Sequence, residues 1–429
     1  MKFLSVIRQA WSTPDVRKKI LFTLGVLTIF RILAHVPLPG VDLEALRSIF
    51  ANNQFLGLLN LFSGGALSNF SIIALGLNPY INASIILNLM TMVIPSLKEL
   101  SQEGASGRRK INQYTRLLTL PLAVIQSMSI YFLLRSQDVV SFLPPVTIAI
   151  MVITLTAGSL LMVWLGELIE NYGIGSGISV LILAGIISGL PASISQISAA
   201  NVEQGDFLSM LLFLGLSVFI VWGIVLVNEA QREIPVQYAR RTAGRSVAGG
   251  QMTHLPLRLN SAGVIPIIFA ISLISLPTLA GNFLVNLQNQ QIVSLTRDFL
   301  EFYNNPFVYA AMYFILVIGF TYIYTAVQFN PEDVAENLQK QAAFIPGIRP
   351  GAHTAEYLNQ IITRITLAGA VFLGVIAVLP ILMQFLFPTI GGVVSVGGTS
   401  LLIVVSVVLD VLKRLEAMLA TRGYEQFLQ

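Results

Sequence analysis

Residues 56–94 read LGLLNLFSGGALSNFSIIALGLNPYINASIILNLMTMVI, an apolar stretch broken at Asn60, Ser63-Gly64-Gly65, Ser68-Asn69 and Asn78-Pro79. A straight membrane helix needs only roughly 20 apolar residues to cross about 30 Å of hydrocarbon. The stretch therefore reads as a short re-entrant helix followed by a true span that begins near Gly76. Lipid offers no partner to a freed N–H or C=O. Backbone that breaks at membrane depth must lie inside protein or line a watery cavity.

The rest of the chain is as apolar. Of 429 residues, 55% are hydrophobic and 11% charged, with a mean hydropathy of +0.77, which leaves no room for a soluble domain. Apolar runs recur at 20–34, 76–94, 117–134, 146–165, 178–190, 207–227, 262–279, 308–327, 365–386 and 393–412, predicting an all-α polytopic protein with about ten spans. Pro37-Leu38-Pro39-Gly40 follows the first run in place of a small-residue cleavage site, so that run is expected to be a retained span. Lys2, Arg8, Arg17, Lys18, Lys19, Lys98, Arg108, Arg109, Lys110, Arg116, Arg232, Arg240, Arg241, Arg245 and Arg258 all fall on one side of such a topology. The opposite loops hold only Arg47, Arg135 and Arg297. The positive-inside rule then makes both termini cytoplasmic. The pI of 9.3 is largely this asymmetry, and the basic loops are either orientation signals alone or partner surfaces as well. The absence of cysteine excludes disulfides and thiol chemistry.

Two loops, 228–258 and 328–364, are long and polar. Such connections are uncommon without a function, the alternative being passive linkers. The second contains Pro346-Gly347-Ile348-Arg349-Pro350-Gly351, whose Pro-Gly steps should set tight turns and hold Arg349 out on a stiff tip. Broken segments at Gly76-Leu77-Asn78-Pro79 and Leu259-Asn260-Ser261-Ala262-Gly263 stand at matching places in two halves, as in an inverted repeat.

Ionisable residues are nearly missing from the spans. Arg31, near the outer end of the first, can snorkel to the interface, and Glu167, Glu170 and Asp410 fall near cytoplasmic ends. This counts against a small-solute secondary transporter, the alternative reading, which needs a midplane carboxylate. His35, His254 and His353 form no H-E-x-x-H pair, and the phosphate-binding G-x4-G-K-[ST] loop is absent, so neither an enzyme nor a cofactor is expected. Gly173-Ile174-Gly175-Ser176-Gly177 reads as a tight turn opening the fifth span. Ile81 with Ile85, and Ile178 with Ile182, each project from one helix face, which by spacing alone fits packing or lipid contact as well as a lined passage.

Several motifs in order, from Arg31-Ile32 and Pro37-Leu38-Pro39-Gly40 through Gly76-Leu77-Asn78-Pro79-Tyr80-Ile81, Gly173-Ile174-Gly175-Ser176-Gly177, Thr253-His254-Leu255-Pro256-Leu257 and Pro346-Gly347-Ile348-Arg349-Pro350-Gly351 to Gly397-Gly398-Thr399-Ser400, resemble the SecY family of protein-translocon channel subunits. The resemblance implies a clamshell of two halves, 1–190 and 191–429, that conducts unfolded preproteins and releases apolar helices laterally into lipid. It implies a pore ring of Ile81, Ile85, Ile178, Ile182, Ile268 and Ile403. A plug would occupy about 57–72, with Asn60, Leu61, Phe62, Ser63, Gly64, Gly65, Ala66, Leu67, Ser68 and Asn69 at its centre. Asn88, Thr91 and Ser176 would be the polar positions of a lateral gate, and Arg240, Arg241, Arg245 and Arg349 the contacts to partners. The implied partners are the small membrane subunits SecE and SecG, the SecA motor ATPase, the ribosome and signal-bearing preproteins, in the inner membrane.

Overall fold

The computed structural model describes residues 9–38, 46, 63–136, 144–204, 207–238, 241–243, 246–248, 252–284, 290–303, 305–386 and 397–427. The first helix, α1 (Pro14–Ala34), is followed by α2 (Asn78–Val93) and α3 (Pro95–Gln102). These two meet at Ile94 with a bend of 103°. Next come α4 (Ala105–Ser136), α5 (Pro145–Tyr172), α6 (Gly177–Gln204) and α7 (Phe207–Glu229). The 228–258 loop forms strands β1 (Gln231–Tyr238), β2 (Arg241–Ala243), β3 (Ser246–Ala248) and β4 (Met252–Arg258). After it stand α8 (Ile265–Leu284), α9 (Gln290–Tyr303), α10 (Pro306–Gln328), α11 (Pro331–Lys340), the short β5 (Ala343–Phe344), α12 (Ala352–Leu386) and α13 (Gly397–Phe427).

Local chemistry sets many of these starts. Proline stands in the first turn of α1, α2, α5, α10 and α11, where its missing N–H has no helical partner to lose. Asn305 and Asn330 cap α10 and α11, each side-chain oxygen accepting a backbone N–H two residues on at 3.1 Å. Glu332 and Asp333 in the first turn of α11, with Lys340 in its last, complement the helix dipole.

The described part of each of the ten apolar runs falls mostly on a helix. Among the described residues, Ala105–Arg135, Pro145–Tyr172, Pro306–Lys340 and Ala352–Leu382 are long and apolar enough to cross a membrane unaided, and the bent α2–α3 pair makes a fifth. The fifth run is longer than its apolar part: α6 continues through Pro191 to Gln204. Its start is the expected tight turn. Gly175 sits at φ +92, and Gly177 lies so close to the Gly166 carbonyl of α5 that any Cβ would collide.

The re-entrant helix expected after residue 56 does not appear in the described part of that segment. Residues 63–77 run as successive turns, because Gly64 (φ +68), Gly65 (φ +80), Phe70 (φ +41) and Gly76 (φ +57) hold left-handed backbone that no α-helix accommodates. Asn60, Leu61 and Phe62 lie outside the described residues.

The long loops hold a sheet that the hydropathy pattern did not announce. β1 pairs antiparallel with β4 from Gln231↔Arg258 to Gln237↔Met252, and β5 adds to the other edge through Gln237↔Phe344 and Tyr238↔Ala343. Ile234, Val236, Leu257, Ala343, Ile345, Leu358 and Ile361 form its own apolar core, closed by the start of α12. The membrane part is built around one larger core, with side chains from α1, α2, α5, α6, α7, α8, α10, α12 and α13.

Candidate functional site

The six isoleucines singled out in the sequence come from four helices and meet in that larger core. Ile81, Ile85, Ile182 and Ile403 are buried within it, and Ile178 and Ile268 pack against it from partly buried positions. Ile178 also leans on α5, its Cγ1 3.4 Å from where a Cβ on Gly166 would stand. Stretches of chain far apart in sequence therefore share one apolar locus, in which α2 packs against α8 and α6 against α13.

Segment 63–77 is fastened to the same core through Ala66 and Ile73. Gly64 passes between α1 and α6, so that an added Cβ would lie 2.9 Å from both the Gly185 Cα and the Phe30 ring. Its carbonyl accepts from Arg31 Nη1 at 2.9 Å and from Ser188 Oγ at 3.4 Å. Arg31 thus turns inward, correcting the expectation that it snorkels: the glycine turns free carbonyls from helical bonding, and a guanidinium supplies the donor. Ser159 Oγ of α5 donates to the Gly76 carbonyl at 3.1 Å and pins the far end. Arg31 is the residue whose role the sequence reading missed. The signal available was a charge in a span facing a Gly-Gly break.

One seam runs beside the core, where α8 packs against both α2 and α4. Phe269 of α8 meets Phe320 and Tyr324 of α10 edge-on, with centroids 5.8 and 6.4 Å apart. Asn88, Leu89, Phe269, Phe320 and Tyr324 line a small apolar cleft there. Asn88 Nδ2 reaches its own helix, at Ser84 Oγ 3.4 Å away, and Thr91 Oγ1 donates to the Asn88 carbonyl at 2.7 Å. Ser176 sits elsewhere. Its carbonyl accepts from Val180 N–H at 2.9 Å at the start of α6, and neighbouring Gly175 lies against Val411 of α13. Asn88 and Thr91 are together on the seam, and Ser176 is not joined to them by any of these bonds.

Three carboxylates near helix ends are paired: Glu167 of α5 with Arg116 of α4, Asp410 with Arg414 at 3.0 Å, and Glu229 of α7 with Lys413 of α13 at 2.7 Å. Among the described residues no cluster of His, Cys, Asp or Glu could hold a metal ion. Arg349 is exposed on its tip between Gly347 (φ +84) and Gly351 (φ +97), and its carbonyl accepts from Thr354 Oγ1 at 2.9 Å. Arg241 opens β2, while Arg240 and Arg245 lie outside the described residues.

A solved protein-conducting channel superposes with a TM-score of 0.63 over 94% of this chain and 92% of its own, at 18% identity. Sec61 from the canine ribosome–channel complex does so with a TM-score of 0.60 over the same shares, also at 18% identity. The class is therefore an all-α, multi-pass membrane protein with the fold of the protein-conducting channels. The SecY family model matches residues 71–412. A protein translocase subunit SecY from Halalkalibacterium halodurans is 44% identical over 436 residues, covering 99% of each chain, and one from Streptomyces galbus is 41% identical over 440 residues, covering 99% of this chain and all of its own. The chain belongs to the SecY family.

Proposed function

We infer that this chain is the channel subunit of a protein translocase, conducting unfolded preproteins across the membrane and releasing apolar helices sideways into lipid. The observation that carries the reading is the convergence of Ile81, Ile85, Ile182 and Ile403 in one core, with Ile178 and Ile268 against it. A ring of aliphatic side chains resists wetting when closed, yet fits around an extended chain without selecting its sequence. The seam of α8 with α2 and α4 supplies a side exit, because parting one helix packing there would open the core to lipid. Residues 1–190 and 191–429 would be the two leaves that part, with α6 as the link through the boundary.

In this reading the plug is about 57–72, its Gly64 held by Arg31 and Ser188, and Asn88 and Thr91 stand on the gate. The chain does no covalent chemistry, so a partner supplies the energy. SecE and SecG would complete the complex, and SecA or a ribosome would engage Arg240, Arg241, Arg245 and Arg349. Inner-membrane residence with both termini cytoplasmic rests on the Lys and Arg bias. The ion-paired carboxylates disfavour a small-solute carrier. The test is reconstitution: the chain purified with its small partner subunits should support import of a radiolabelled preprotein into vesicles when a motor and ATP are supplied. Proton- or sodium-coupled solute uptake without preprotein import would reject the reading.

A further inference from the structure

Helix α9 carries more apolar surface than its seat needs. Its inner face packs on the second half of α8: Thr296 and Tyr303 are buried, and Leu300 fits against Gly281, where a Cβ would come within 2.7 Å of the leucine side chain. The Tyr303 phenol donates to the Ile274 carbonyl at 2.7 Å, and burial raises its pKa above the ordinary value, keeping the proton on the donor. Leu300 at Gly281 and Tyr303 at Ile274 thus anchor the last turn of α9 to α8.

A second face points away from the protein. Leu295 is 70% exposed, Phe299 49% and Phe302 65%, and their spacing of four and three residues makes one stripe. Phe299 also stacks on Tyr303, with centroids 5.6 Å apart, so the stripe is mechanically tied to the buried anchor. Arg297, Asp298 and Glu301 are exposed on a third, charged face. The stripe does not stand alone. Leu284 at the end of α8, Phe307 at the start of α10 and Ile315 further along it are exposed as well, as the residues of a lipid-facing band would be.

We propose that α9 is an interfacial helix whose Leu295, Phe299 and Phe302 embed among the acyl chains of the outer leaflet, and that it ties the seam helix α8 to the bilayer surface. A short helix with an apolar stripe beside a charged one lies in the plane of the interface. Continuity with the exposed apolar residues of α8 and α10 selects lipid over a protein partner. The inference rests on the channel reading for which leaflet is meant.

The chain has no cysteine, so single-cysteine labelling is clean. The assembled complex, in vesicles of phosphatidylethanolamine and phosphatidylglycerol, would carry a nitroxide at Leu295→Cys, Phe299→Cys, Phe302→Cys, Arg297→Cys or Glu301→Cys, with Ile315→Cys as the membrane control. Collision rates with oxygen and with a water-soluble nickel chelate are then compared. The ratio should favour oxygen at 295, 299 and 302 and reverse sign at 297 and 301. Nickel access along the stripe would place it in water, and low access to both reagents would place it under a protein; either outcome overturns the proposal. Failure of the Ile315 label to favour oxygen would instead reject membrane embedding itself, separating the two failures.

Discussion

Replacing Ile403 with Asn tests the constriction through the sign of its effect. Ile403 is fully buried, in the core that also holds Ile81, Ile85 and Ile182. The substitution removes an aliphatic group worth about 1.5 to 3 kcal/mol of burial and puts an amide in its place. If the group packs only when the passage is shut, that loss falls on the closed state alone. At roughly 1.4 kcal/mol per tenfold, the open fraction should rise roughly 10- to 150-fold. The assay is import of two precursors, one with an intact and one with a weakened signal sequence, into vesicles holding equal amounts of parent and Ile403→Asn complex. The variant should import the weak-signal precursor that the parent rejects. An ordinary core isoleucine predicts the opposite, with stability and import of both precursors falling together. That uniform loss for Asn at Ile81, Ile85, Ile182 and Ile403 would refute the constriction.

Substitutions at three further positions probe other contacts. Arg31→Leu deletes the bond to the Gly64 carbonyl, a hydrogen bond to a charged group worth about 1.5 to 3 kcal/mol, and should raise ion leak in planar bilayers without preventing assembly; a variant as tight as the parent means that the bond does not hold the segment shut. Gly64→Val forces a branched side chain into left-handed backbone against Gly185 and Phe30, so thermal stability of the complex should fall by on the order of 1–3 kcal/mol, and an unchanged melting temperature contradicts the packing. Arg349→Glu reverses the charge on the exposed tip and should abolish motor-driven import while the complex still assembles. Arg349→Lys should recover little of it, since a point charge does not replace a guanidinium fork, and normal import by either variant removes Arg349 from the partner contact.

The helices were legible because burial in lipid writes itself into composition: each apolar run, from 20–34 to 393–412, has most of its described residues on a helix. Helix ends were less so. α6 outlasts its apolar run by more than three turns, because polar residues after Pro191 continue the helix without a hydropathy signal. The β1–β4–β5 sheet was missed although Ile234 and Val236 alternate inward, since Pro235 and Pro256 argue against strands and β5 pairs across about a hundred residues of sequence. The isoleucine spacing gave faces but no partners. Which faces meet depends on how α2, α6, α8 and α13 are placed together, and that is a tertiary fact. The stretch after residue 56 was recognised as broken, but that its described part, 63–77, would run as turns was not, because Gly-Gly steps mark an interruption without stating which carbonyls it frees or that Arg31 would take one.

The three-stranded sheet gives the loops a mechanical property. β1 leaves α7 directly, and β4 returns to α8 through a turn in which Leu259 N–H donates to the Ala230 carbonyl at 2.9 Å. β5, one short turn before the Arg349 tip, is laddered to β1. Sliding one strand along another breaks its rungs together, so such a ladder is stiff lengthwise. A load applied at the tip is therefore not dissipated in slack chain: it arrives as traction at the roots of α7 and α8. A partner that pulled on the tip would thus be pulling on the start of the seam helix, with two paired strands as the tether.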